Sequence, residues 1–292
     1  MTTYRKAKAV KVKITKLSNI VGGQDGAIFK NYLFRFSSKG GCTVYDLGAI
    51  EENMTPIAEF KLDGIDYIVP HSNSVIFGNE YFAEDDEFPL LYSNVYNNYA
   101  KTEDKRPGIC CVYRLVRDGE SFKTTLVQLI KIGFTDDREL WRSSGEVEDK
   151  RPYGNFAVDT DKNLLWAFVM RDGENQSRYF SFDLPKASDG EIGASGVREV
   201  TLTADIIKEY FDTPYHNYVQ GAVCYEGKIY SVEGFGEKIH PALRIIDTKE
   251  KRQILHFDFF EAGCTDEAEL IDFYEGKCIY GNHIGEIFEL EF

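Results

Sequence analysis

Polar side chains stand at the start of five apolar stretches, and chemistry could be built from them: Gln24 and Asp25, His71 and Asn73, Tyr153 and Asn155, Gln220, and Glu267 with Glu269. The set mixes carboxylates, amides, an imidazole and a phenol. Such a mixture suits a neutral polyhydroxylated ligand, because amides and carboxylates can hold paired hydroxyls. Tyr153 or Trp141 would stack on the apolar face of a sugar ring. Hydrolysis of a glycoside with inversion needs a general acid and a general base about 6.5–9.5 Å apart. Asp25 and Glu269 are the pair to test for those two roles, provided the ends of the chain meet.

Other chemistries find less support. His71, His216, His283 and Glu233 are scattered, without the spacing that marks a metal centre, so neither a metal nor a cofactor is expected. The run Glu84-Asp85-Asp86-Glu87 lacks the glycine-spaced ligands of a calcium loop and reads as a solvated insert. There is no Gly-x-Ser-x-Gly, and no Cys in a glycine turn before a helix. Val232-Glu233-Gly234-Phe235-Gly236-Glu237 has two glycines but no Gly-Lys-Ser/Thr, which disfavours phosphate binding.

The elements that must position these residues repeat. After each polar start comes an apolar run, a turn, and a strand closing on an aromatic and a polar residue, as in Thr43-Val44-Tyr45-Asp46-Leu47, Tyr179-Phe180-Ser181-Phe182-Asp183 and Leu243-Arg244-Ile245-Ile246-Asp247. The hairpin Tyr225-Glu226-Gly227-Lys228 returns as Tyr274-Glu275-Gly276-Lys277. A strand-built repeat of this length predicts a propeller, in which each blade is a small sheet that cannot bury both faces alone. The expected fold is therefore all-β: a five-bladed β-propeller, with six blades as the alternative, in a single domain over residues 1–292. The first blade spans about 25–62, the second 71–134, the third 154–202, the fourth 221–259, and the fifth stops after three strands. The strand Ala9–Ile14 is expected to supply the missing outer strand and close the ring, removing exposed edges. A helix is expected over Thr203–Phe211 from apolar residues at 206, 207, 210 and 211.

Composition agrees. Phe (21) and Tyr (18) are abundant, as packed sheet faces require. A formal net charge of −14 argues against nucleic acid and anionic membrane as partners, both of which are bound by clustered Lys and Arg. No stretch approaches the ~20 apolar residues that cross a bilayer. Six cysteines without zinc spacing, and no secretory signal, suit reduced buried thiols and a cytoplasmic location.

The segment His71-Ser72-Asn73, followed by Phe77-Gly78-Asn79-Glu80 and Phe88-Pro89-Leu90-Leu91-Tyr92, resembles uncharacterised bacterial propeller proteins. That resemblance implies a fold and carries no activity. The closing strands lack the Trp-Asp of WD40 blades, and the kelch pattern of a Gly-Gly pair before spaced aromatics is not reproduced. Blade count resembles that of arabinanase-type glycosidases, but no local motif matches theirs. The functional expectation is a small polar ligand, a carbohydrate by the residue mixture, bound at the channel mouth. The alternatives are a glycoside hydrolase using Asp25 and Glu269, and a protein-interaction platform on the top loops of blades two and three.

Overall fold

The computed structural model describes residues 11–95, 108–134, 137, 140, 154–169, 177–214 and 218–292. Strand β1 (Lys13–Asn19) precedes blade 1, formed by β2 (Gly26–Phe29), β3 (Tyr32–Phe36), β4 (Gly41–Asp46) and β5 (Ala58–Lys61). Blade 2 contains β6 (Val75–Phe77), β7 (Leu91–Asn94), β8 (Ile109–Asp118) and β9 (Ser121–Ile132). Blade 3 contains β10 (Gly154–Asp159), β11 (Leu164–Val169), β12 (Ser177–Asp183) and, after two strands that leave it, β15 (Glu209–Thr213). Those two, β13 (Glu191–Ile192) and β14 (Arg198–Leu202), widen blade 2, with β14 running parallel to β9. Blade 4 contains β16 (Val219–Tyr225), β17 (Lys228–Glu233), β18 (Ala242–Asp247) and β19 (Arg252–Asp258). Blade 5 contains β20 (Ala268–Tyr274), β21 (Lys277–Asn282) and β22 (Glu286–Glu291).

The chain is a five-bladed β-propeller, as its repeats predict. Its ring closes where β1 pairs antiparallel with β22, from Lys13 opposite Glu291 to Asn19 opposite Glu286. The first strand thus serves the last blade, but it lies at Lys13–Asn19 and shares only residues 13 and 14 with the expected Ala9–Ile14; the closing edge carries Lys13–Glu291 and Lys16–Glu286 ion pairs.

Two expectations need correction. Thr203–Phe211 is not a helix: residues 204–206 make one 3₁₀ turn, and Glu209–Thr213 is the outer strand of blade 3. The apolar spacing there fits either element, and packing decides, because the strand lays Phe211 flat on Tyr179 at 5.4 Å and edge-on to Trp166. Residues 191–202 extend blade 2 instead of belonging to blade 3, because Val200 and Leu202 lie opposite Ile130 and Ile132.

The core lies between blades, each sheet covering its neighbour's face. Phe34, Phe77, Phe88 and Phe122 interlock between blades 1 and 2, with Phe34 to Phe122 at 5.2 Å. Other apolar clusters join blades 2 and 3, blades 4 and 5, and blades 5 and 1. Cys42, Cys110, Cys111 and Cys278 are buried in these clusters as free thiols, small apolar fillers. No helix among the described residues is long and apolar enough to cross a membrane.

Candidate functional site

The inner strands β2, β6, β10, β16 and β20 bring those of the predicted polar residues that are described to one end of the ring. In three blades the same backbone position points at the axis. Gln24, Gln220 and Glu269 each stand five residues before Phe29, Tyr225 and Tyr274, the last paired residues of their first hairpins. In blades 4 and 5 the register slips there, between Val219 and Gly221 and between Ala268 and Leu270, so that Gln220 and Glu269 are the extra residues of two matching β-bulges. In blade 1, Phe36 O accepts from Gln24 N while Phe36 N donates to Asp25 O, so one residue faces two. A bulge re-aims a side chain that regular alternation would point elsewhere.

These side chains bond one another. Gln24 Nε2 donates to Glu269 Oε1 at 2.9 Å, joining blades 1 and 5. Gln220 Nε2 donates to Glu267 Oε1, joining blades 4 and 5. Asn73 Nδ2 donates to Gln220 Oε1 at 2.5 Å, a bond between non-adjacent blades 2 and 4 that crosses the axis. The mouth therefore ends in a polar floor of side chains. His71, which begins blade 2, is half-buried two residues from Asn73. Asn155 is fully buried in β10, where its Oδ1 accepts from Asn94 Nδ2 at 2.9 Å and ties blade 3 to blade 2. Tyr153 and Trp141 lie outside the described residues.

Asp25 sits beneath this floor with no exposed surface. Its Oδ2 accepts from Val75 N at 3.0 Å and its Oδ1 from Ile271 N at 3.4 Å, so one carboxyl buckles blades 1, 2 and 5. From blade 4, Gly221 presses close: a Cβ there would stand 2.6 Å from Glu269 O and 3.1 Å from Asp25 Oδ1. Burial pushes the Asp25 carboxyl well above the usual carboxylate range. These contacts fill the axis at the level of Asp25.

On the solvent side, Glu267, Glu269 and His283 converge, one donor atom from each lying within 4.8 Å of the others. Glu269 is fully buried, Glu267 half-buried, and His283 has a side chain 54% exposed whose Nδ1 lies 3.5 Å from Glu269 Oε1. Burial pushes Glu269 up to about 7, against the opposing pull of its bond to His283. Burial also raises Glu267, while the bond to Glu269 raises His283. Glu269 Oε2 is buried with no protein partner. Arg35, on β3, is buried with Nη2 donating to Gly23 O and Asn282 O at 2.9 Å each, and burial lowers its pKa. Arg35 lines a cavity of about 250 Å³ together with Gly22, Phe36 and Thr43 at this same end of the ring.

Sequence reasoning set His283 aside as one of several scattered histidines, and it missed Arg35, Tyr218 and Phe235 at this end. His283 N donates to Glu267 O as Gly234 N donates to Tyr218 O, so Tyr218, Gly234 and Phe235 of blade 4 match Glu267, His283 and Ile284 of blade 5. Tyr218 and Phe235 pack edge to face at 5.1 Å, and Phe235 is 45% exposed. Extending the hairpin repeat outward by a few residues would have found both positions.

No protein-family model matches the chain, and no curated protein matches it. Among solved structures, it is similar to glutaminyl cyclase of Myxococcus xanthus, at 10% identity over 96% of this chain and 95% of that one, with a TM-score of 0.53. It is also similar to a putative oxidoreductase (glucose dehydrogenase) of Thermus thermophilus, at 9% identity over 96% and 100% of the two chains, with a TM-score of 0.46. BamB of Moraxella catarrhalis follows at 8% identity over 91% of this chain and 69% of that one, with a TM-score of 0.34. The likeness to the glutaminyl cyclase, at this identity, is one of fold alone.

Proposed function

We propose that this propeller binds a small polar ligand, of the neutral polyhydroxylated class that includes carbohydrates, in the shallow mouth above the side-chain floor. The observation that carries the reading is the inter-blade network Asn73–Gln220–Glu267, with Gln24–Glu269 beside it, capped on the solvent side by the half-buried Glu267 and the exposed His283. Carboxylate and imidazole there offer both acceptors and donors to hydroxyl pairs. Exposed Phe235 offers a ring face for the apolar side of a sugar. The acidic net charge disfavours an anionic ligand. Binding is favoured over hydrolysis by Asp25 with Glu269, because Asp25 is enclosed and both its oxygens take backbone N–H bonds.

A second reading, a protein partner on the rim, is favoured by Val21 and Ile284. They are 55% and 56% exposed beside His283, and with Phe235 they give this end an apolar border. Titration calorimetry with a panel of mono- and oligosaccharides tests the first reading. Saturable binding that weakens about tenfold in Glu267→Gln and several-fold in Phe235→Ala supports it. No heat from any saccharide sinks it and leaves the rim surface as the reading to pursue, whereas turnover of a bound saccharide would make the protein a glycosidase.

A further inference from the structure

We infer that Glu267, Glu269 and His283 form a binding site for one first-row divalent metal ion of the Zn²⁺ type. Their donor atoms lie within 4.8 Å of one another, close enough for a single ion to gather them. The independent sign is Glu269 Oε2: it is buried, it has no protein partner, and it belongs to the carboxylate whose other oxygen lies 3.5 Å from His283 Nδ1. A buried oxygen left unpaired costs about 1–3 kcal/mol unless something satisfies it, and a cation does so directly.

The donor chemistry selects the ion. One imidazole nitrogen and two carboxylates make a three-ligand set with room for water or substrate, the arrangement of open zinc sites. Ca²⁺ needs about six to eight oxygens and gains little from imidazole. The outer contacts are also in place: Gln24 donates to Glu269 Oε1 and Gln220 to Glu267 Oε1, fixing how both carboxylates are turned. Arg35 acts on Glu269 with opposing charge, so the ion is held less tightly than by the same ligands without it. The other three-donor group among the described residues, His240, Asp258 and Glu261, offers no buried unpaired atom. His240 Nδ1 is already 2.8 Å from Asp258 Oδ2. Metal binding at this cluster does not require the polyhydroxylated ligand proposed above.

The test is calorimetric titration of the chelator-stripped full chain with Zn²⁺ alone, and separately with Ca²⁺. One Zn²⁺ per chain is expected, weakened about tenfold or more in both His283→Ala and Glu267→Gln and unchanged in His240→Ala. Both substituted side chains reach solvent, so circular dichroism should show the variants folded. Absence of stoichiometric Zn²⁺ uptake overturns the inference. So does uptake indifferent to both substitutions, uptake lost in His240→Ala instead, or preference for Ca²⁺.

Discussion

Blades 4 and 5 are built on the same backbone and carry opposite chemistry. Both open with a β-bulge, both turn through Tyr-Glu-Gly-Lys with Glu226 and Glu275 at φ 49 and 50, and Tyr225 of one stacks on Phe273 of the other at 3.8 Å. At the bulge blade 4 offers Gln220 and blade 5 offers Glu269; two residues earlier stand Tyr218 and Glu267, and across the strand stand Gly234 and His283. One blade supplies an amide and rings, the other two carboxylates and an imidazole. The repeat thus fixes where side chains point, and single substitutions within it decide what they do. The charged cluster is a property of blade 5, not of propeller geometry.

Exchanging equivalent residues between the blades breaks this symmetry, most severely at Gly234. Its φ of +83 belongs to glycine, and a Cβ there would stand 2.1 Å from His240 O. Gly234→His, which copies blade 5 onto blade 4, should therefore cost about 3 kcal/mol or more from left-handed strain and overlap together. The reverse copy, His283→Gly, should cost under about 1 kcal/mol, being an exposed position. Urea unfolding of both variants measures the asymmetry, and equal losses would refute the claim that the two positions differ in backbone.

At the bulge itself, Gly221 of blade 4 matches Leu270 of blade 5. Gly221→Ala forces a methyl against Glu269 O and Asp25 Oδ1, for an expected loss of about 2 kcal/mol. A neutral effect in thermal unfolding would mean that the axis is looser than these distances say.

The comparison also predicts a pH slope. Asp272 of blade 5 matches Val223 of blade 4, and its residue surface is only partly covered while its carboxyl is enclosed. Burial pushes that carboxyl up to about 7, against the pull of N–H bonds from Ile28, at 2.6 Å, and Phe273, at 2.7 Å. A carboxyl raised in the folded state favours folding fully below its unfolded value of about 4, and that contribution is lost as pH rises through about 7. Melting temperature should accordingly decline between about pH 4 and pH 7, and Asp272→Asn should flatten part of the decline. An unchanged slope in that variant would assign the pH dependence to other buried carboxyls, such as Asp25.

Much of this was legible in the chain. Strand-length apolar runs, the duplicated Tyr-Glu-Gly-Lys hairpin and an unpaired N-terminal strand suffice for five blades and their closure, because alternation and turn chemistry are local properties. The polar residues at the blade starts were legible for the same reason, and Asn73, Gln220, Glu267 and Glu269 do meet at one end of the ring.

Tertiary structure decided the rest. Whether Glu209–Thr213 coils or extends depended on Tyr179 and Trp166 of other strands, and residues 191–202 joined blade 2 because β9 offered an unpaired edge. Asp25 and Glu269 are alike in sequence, acids at blade starts, yet one is a buckle between backbones and the other a member of a cluster. Only the bulge, which shifts the facing of one residue, and the convergence of blades that are distant in the chain separate them. Neither effect is written in the spacing of residues along a single strand.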